Sequence, residues 1–234
     1  MCMTLRSLFY GLFGLWLSTA ALADTATPVK ETDSNLQKTA EKEPLFKDGK
    51  GFYTYKKPLN ITLPKDGKVL IQYFYQYGCE VCSHGLDYLK LYAERNKDKV
   101  ILQYSPSFAK GNAFTGKMHA TFSEYGRPEL SELYLFDSLD RKDKESLTEN
   151  NEAIQRWLKR NGIDIAKFYQ LFTSVQVEKR MEQDLNVYRQ YEPPAFTPIA
   201  ILNGRYVLLK NTLYNDDYTY AVLDFLVEKL QQEK

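Results

Sequence analysis

The chain has 234 residues, 44% of them hydrophobic, enough for one domain carrying an insertion and short for two independent domains. Acidic and basic residues nearly cancel to a net +1, so the charge gives no bias toward nucleic acid or an anionic membrane surface. There are three cysteines, and with Cys2 in the leader only Cys79 and Cys82 remain, which excludes a disulfide-stapled scaffold.

Met1–Ala23 has the layout of a secretory signal: Arg6, an apolar stretch Leu8–Leu17, then Ala21-Leu22-Ala23 as a cleavage site before Asp24. The apolar run is short against the ~20 residues of a membrane span, so a cleaved signal is expected rather than an anchor. Residues 24–45 are polar, with almost no aromatic or aliphatic content, and are expected to form a disordered leader. An oxidising compartment and cysteines kept for exchange follow from the two observations together. Aromatic residues make up 14% of the chain, 18 of them tyrosines, and some are expected to line a surface that binds apolar peptide.

Phe46–Leu63 has a turn at Asp48-Gly49 and then alternation, and predicts a first strand at a sheet edge because it contains Pro58. Val69–Tyr75 predicts a central strand. After Gly78 come Cys79-Glu80-Val81-Cys82 and apolar residues at helical spacing, Leu86, Leu89 and Tyr92, predicting a helix that runs from the cysteines to about Arg95. Val100–Tyr104 predicts the next strand, parallel to the last across the helix.

Two cysteines at the start of a helix are chemistry as much as geometry. The first helical turn has unpaired N–H groups and the positive end of the helix dipole, and a thiolate there is stabilised. A strand–CxxC–helix unit is the mark of thioredoxin-like redox proteins. Two bland readings compete. A zinc site usually takes four ligands, and His84 and His119 are the only histidines, with no second CxxC. A structural disulfide across so small a ring removes little chain entropy.

From about Ala109 to Tyr191 the pattern is helical: Ala113–Tyr125, Arg127–Ser138, Asn151–Asn161, Ile165–Phe172 and Ser174–Tyr191, punctuated by Gly126, Gly162 and Ser174. After Pro193, Pro194 and Pro198, Ile199–Leu202 turns at Asn203-Gly204 into Arg205–Leu209, a strong hairpin signal. Tyr218–Leu230 predicts a last amphipathic helix.

With FYQYGCEVC at the head of a helix, a helical insertion, and TPIAILNGRYVL after it, the chain resembles the DsbA family of thiol:disulfide oxidoreductases over about Phe46–Lys234. The resemblance implies an α/β thioredoxin-like fold with an inserted all-helical domain: residues 46–107 and 192–234 as the two parts of the thioredoxin-like domain and 108–191 as the insertion. It implies a cis-proline loop facing the cysteines, with Pro198 at that position and Thr197 before it. Cys79 and Cys82 would be catalytic, Cys79 as the exposed nucleophile and Cys82 more buried. Thr197 and Pro198 would bind substrate backbone, and Glu80 and Val81 would tune the redox couple. The expected activity is a periplasmic oxidase that introduces disulfides into exported proteins with free thiols and is reoxidised by a membrane quinone reductase of the DsbB type. No organic cofactor, metal or nucleic acid is implied. An isomerase or reductase of the same fold, or a non-catalytic peptide-binding chaperone, are the alternatives. The chain departs from the usual pattern in having Glu80-Val81 between the cysteines, Tyr73 where an acidic residue is common, and Thr197 before the proline.

Overall fold

The computed structural model describes residues 44–139 and 145–233. The expected signal Met1–Ala23, and all of the expected leader but its last two residues, lie outside them.

The sheet is built around β3 (Val69–Tyr75), all of whose residues are buried. A strand covered on both faces must be apolar throughout, which is why VLIQYFY carries one polar residue. Its alternation sorts the two sides. Val69, Ile71, Tyr73 and Tyr75 enter the larger core, while Phe74 enters a smaller one with Tyr191, Ile199, Ile201 and Val207. On one flank β3 pairs in parallel with β4 (Val100–Pro106), and on the other it pairs antiparallel with β5 (Ile199–Leu202). β6 (Tyr206–Leu209), β2 (Gly51–Thr54) and the short β1 (Lys47–Asp48) complete the order β1-β2-β6-β5-β3-β4.

α1 (Glu80–Arg95) connects β3 to β4 and buries Leu86, Leu89 and Tyr92. Truncating Leu86 or Leu89, both fully buried, to Ala costs about 2–5 kcal/mol on the usual core scale. α7 (Asp216–Gln232) is fastened to α1 by the Tyr92 hydroxyl, which donates to Asp224 Oδ1 at 2.9 Å.

Among the described residues, five α-helices lie between β4 and β5: α2 (Phe114–Tyr125), α3 (Glu129–Asp137), α4 (Asn151–Arg160), α5 (Ile165–Phe172) and α6 (Val175–Gln190). Local chemistry sets their ends. Asn150, Asp164 and Ser174 cap α4, α5 and α6 by accepting the N–H of the residue three ahead. Gly126, at φ +85°, ends α2. Phe122, Tyr134, Trp157 and Phe168 form their aromatic core, with Tyr134 and Trp157 ring centres 4.7 Å apart. This is the α/β thioredoxin-like core with an inserted helical subdomain.

The observed elements differ from the sequence pattern at several ends, β4 for example running on to Pro106 where the expected strand stopped at Tyr104. Of the expected strand Phe46–Leu63 only Lys47–Asp48 and Gly51–Thr54 are strand. Beyond Lys56-Lys57-Pro58 the chain leaves the sheet and folds over the hairpin, where Leu59 N–H donates to Gly204 O and Leu59 and Ile61 join the smaller core. The helix after β3 starts at Glu80, with Cys79 as its cap. α3 starts after Pro128, so Arg127 stays outside it. The last helix starts two residues early, at Asp216, because Asn215 caps it by accepting from Tyr218 N–H at 3.0 Å.

Candidate active site

Cys79 and Cys82 are joined by a disulfide, S–S 2.01 Å and Cα–Cα 5.1 Å, across the first turn of α1. Cys79 is the N-cap residue, with extended backbone at φ −102° and ψ 101°. Its Sγ accepts the Cys82 N–H at 3.1 Å, the place an oxygen occupies in an ordinary cap. The sulfurs are unequally placed: Cys79 is half-buried and Cys82 wholly buried. Glu80, in the same turn, is exposed, and Val81 is half-buried.

The approach to the cysteines is held by the helical subdomain. Tyr77 N–H donates to Thr115 Oγ1 at 3.2 Å, and Gly78 N–H donates to Ser138 Oγ at 2.9 Å. Gly78 has φ +75°, a conformation that side chains with a Cβ resist, and a Cβ placed there would sit 3.1 Å from Thr148 Cγ2. The Tyr77 ring packs edge-on against Tyr134, 4.8 Å between centres. Thus the last residues before Cys79 are positioned by α2, α3 and the segment before α4.

Beneath α1, the buried Tyr73 hydroxyl donates to the Cys82 carbonyl at 2.7 Å. Gly85 makes room for it, since a Cβ there would lie 2.8 Å from the Tyr73 oxygen. Burial holds the Tyr73 hydroxyl far above its ordinary pKa, so it stays a neutral donor.

The Thr197–Pro198 peptide bond is cis. In the β3–β5 register Ile199 faces Phe74, so one step on Pro198 stands opposite Tyr75, and Thr197 stands opposite Gln76. The Thr197 hydroxyl donates to Gln76 Oε1 at 3.2 Å. The structure therefore brings Thr197 and Pro198 to the end of the sheet from which Tyr77, Gly78 and Cys79 continue. His84 is exposed, its ring 6.4 Å from that of Tyr88. His119 belongs to a separate buried network in which Ser131 Oγ lies 2.7 Å from its Nδ1, 3.0 Å from Tyr75 Oη and 2.6 Å from Tyr77 Oη. Burial, reinforced by Arg180, pushes the His119 pKa down to about 4.

Gln76, Thr115 and Ser138 were not singled out by the sequence. Their partners lie 121, 38 and 60 residues away, and no local pattern marks such pairs.

No family model matches the chain. Among individual proteins, an uncharacterised protein of Haemophilus influenzae is 36% identical over 190 residues, covering 81% of this chain and 80% of the relative. The thiol:disulfide interchange protein DsbA of Burkholderia cepacia is 24% identical over 187 residues, 80% of this chain and 86% of its own length. Among solved structures, Pseudomonas aeruginosa DsbA superposes with a TM-score of 0.62 at 19% identity, over 80% of this chain and 96% of that one. The DsbA oxidoreductase of Xylella fastidiosa gives 0.61 at 20% identity, over 80% and 98%.

The chain is homologous to DsbA-family thiol:disulfide oxidoreductases in sequence and shares their fold. The Cys79–Cys82 disulfide in this fold supports catalytic disulfide exchange with redox partners. Within that family pattern, Cys79–Cys82 is the sole disulfide among the described residues. Tyr73 fills its buried position with a neutral hydroxyl, bonded to the carbonyl of the inner cysteine.

Proposed function

We propose that this is a periplasmic oxidase that passes the Cys79–Cys82 disulfide to exported proteins, with Cys79 as the attacked sulfur. The observation that carries the assignment is the inequality of the two sulfurs: Cys79 is half-buried with its Sγ on the Cys82 N–H, and Cys82 is sealed in the core. A substrate thiolate attacks Cys79 Sγ, forming a mixed disulfide and breaking the bond to Cys82, which leaves as a thiolate and takes up a proton. A second substrate thiolate then attacks the substrate sulfur of the mixed disulfide and expels Cys79. The substrate dithiol loses two electrons and two protons; Cys82 takes up one proton, the other goes to solvent, and Cys79 is left as a thiolate. The departing Cys79 thiolate stays on the N–H groups and positive dipole end of α1, which favours the reduced form and makes the disulfide oxidising.

During the mixed-disulfide stage an extended substrate segment pairs with the backbone at Thr197, a short strand addition beside cis-Pro198. Glu80 and Val81, the residues between the cysteines, set the strength of the couple. The reduced pair is returned to the disulfide by a membrane quinone reductase of the DsbB type. The signal-like Met1–Ala23 supports export to the periplasm. Residues 108–191 are taken as the insertion, a division supported by the run of helices between β4 and β5.

The test is trapping in periplasmic extracts. A Cys82→Ala variant should accumulate mixed disulfides through Cys79 with exported thiol proteins, and a Cys79→Ala variant should accumulate none. In cells the wild-type cysteines should be mainly oxidised; a mainly reduced pair would assign the protein to isomerisation or reduction instead.

A further inference from the structure

Beside the cis-proline loop, on the side of the loop that follows β4, lies a cleft of about 280 Å³ lined by Gln76, Lys110, Asn112, Phe196 and Thr197, with Ala109 and Ala195. We propose that this cleft is a substrate subsite and that it selects an acidic side chain next to the substrate cysteine. The inference rests on the exchange reading above and adds a substrate class to it.

The placement is fixed by Gln76, three residues before Cys79. Its Oε1 accepts from the Thr197 hydroxyl at 3.2 Å, and its Nε2 donates to Ala109 O at 3.5 Å, so one side chain ties together the strand leading to the disulfide, the cis-proline loop and the turn that carries Lys110. A substrate backbone paired at Thr197 therefore runs along the rim of the cleft. An extended chain rises about 3.3 Å per residue and sends neighbouring side chains to opposite faces. The occupant is thus a side chain within roughly two residues of the cysteine.

The chemistry of the lining is one-sided. Lys110 is exposed and has no ion-pair or hydrogen-bond partner among the described residues. Its backbone is left-handed, φ +54°, inside the turn Ala109–Gly111, a conformation uncommon for a side chain of its size. Asn112 uses its Oδ1 to accept the Phe114 N–H at 3.1 Å, which leaves the amide NH2 to donate. No carboxylate lines the cleft. A single cation, spare amide donors and no competing anion suit a carboxylate. Phe196, exposed at 45%, supplies an apolar wall for the methylene stem.

The test uses the oxidised full chain and a set of short cysteine peptides carrying Glu, Gln or Lys at each position within two of the cysteine. The rate of reduction of the protein is divided by the rate of each peptide with a small symmetrical disulfide, which removes the effect of the charge on the peptide's own thiol. At one position Glu should exceed Lys by about two- to fivefold, the range of a solvent-exposed ion pair, and the preference should shrink with added salt. Lys110→Gln should abolish the preference and Lys110→Glu should invert it, each compared with the Gln peptide in the same variant. If Lys110→Glu fails to fold, as judged by its urea midpoint, Lys110→Gln alone decides. A normalised preference that is absent, or that survives both changes, overturns the subsite while leaving exchange intact. No reaction with any peptide overturns the exchange reading and this inference with it.

Discussion

Gly78 is where the active-site turn is most sensitive to a single atom. Replacing it by Ala adds a Cβ to a residue at φ +75°, next to Thr148 Cγ2 at 3.1 Å. The left-handed backbone alone costs a non-glycine residue about 1–2 kcal/mol. The crowding adds to that unless Thr148 can shift, and its hydroxyl contacts Ser146 Oγ at 3.3 Å. A rearranged turn also threatens the Gly78 N–H bond to Ser138, where an unsatisfied buried partner costs about 1–3 kcal/mol. Gly78→Ala is therefore expected to lose about 1.5–3 kcal/mol in urea unfolding of the oxidised protein, and to slow exchange with a small thiol because Cys79 is re-aimed. Thr148→Ser removes the crowding methyl and keeps the hydroxyl. In that background Gly78→Ala should cost less, by about 0.5 kcal/mol or more, as expected for touching residues, and the backbone penalty should remain. Gly78→Asn should cost less than Gly78→Ala, since asparagine tolerates the left-handed region. A Gly78→Ala protein within about 0.5 kcal/mol of wild type, with an unchanged exchange rate, would refute the argument, because ordinary surface substitutions fall in that range.

The remaining predictions concern the same neighbourhood and the buried polar groups. Ser138→Ala should destabilise by about 1–3 kcal/mol by orphaning the Gly78 N–H; a loss below that range would mean water replaces the hydroxyl. In the reduced protein brief alkylation should label Cys79 well before Cys82, because Cys82 is fully buried; mass mapping showing the reverse would exchange their roles. Glu80→Gln removes a negative charge from the first turn of α1, which should stabilise the Cys79 thiolate and make the couple more oxidising, by roughly 30 mV or less given the exposure of Glu80; an unchanged equilibrium with glutathione would leave tuning to other residues. Burial raises the Asp184 pKa to about 6, and its Oδ2 is buried without a partner. Between its unfolded value near 3.8 and 6 the native state therefore binds more protons, and Asp184 withdraws stability as pH rises through that window. Asp184→Asn should gain on wild type from pH 4 to 6 and hold the gain above, by about 1–2 kcal/mol after allowing for partial exposure; a difference that is flat with pH in urea titrations would contradict it. His119, held down to about 4, acts oppositely, losing stability as pH falls from 6.5 to 4, so the wild-type curve alone is flatter than either contribution.

The sequence by itself determined the elements whose cause is local. A short, β-branched and aromatic run with a single polar residue, ended by Gly78, pointed to a strand covered on both faces, as β3 is. Leucines at helical spacing after the cysteines gave α1, and Asn203-Gly204, at φ +47° and +62°, gave the hairpin. The pairing of Cys79 with Cys82 was equally local, since only two residues lie between them. Where a local signal was diluted the pattern misled: the alternation over Phe46–Leu63 continued past the point at which Pro58 and two lysines take the chain off the sheet, and packing over Gly204 decided its path. What only the tertiary structure decided is everything that acts on the cysteines from a distance. Tyr73 was visible as a departure, but not as a donor to the Cys82 carbonyl that requires Gly85 beside it. Thr115, Ser138 and Thr148 reach the active-site turn from the helical subdomain, and Gln76 meets Thr197 because β5 returns antiparallel to β3 in one register. The physical reason is range. Periodicity, capping and turn chemistry are set by residues within about four positions of one another, whereas a single hydroxyl or methyl fitted against a backbone 38 to 121 residues away leaves no periodic trace in the chain.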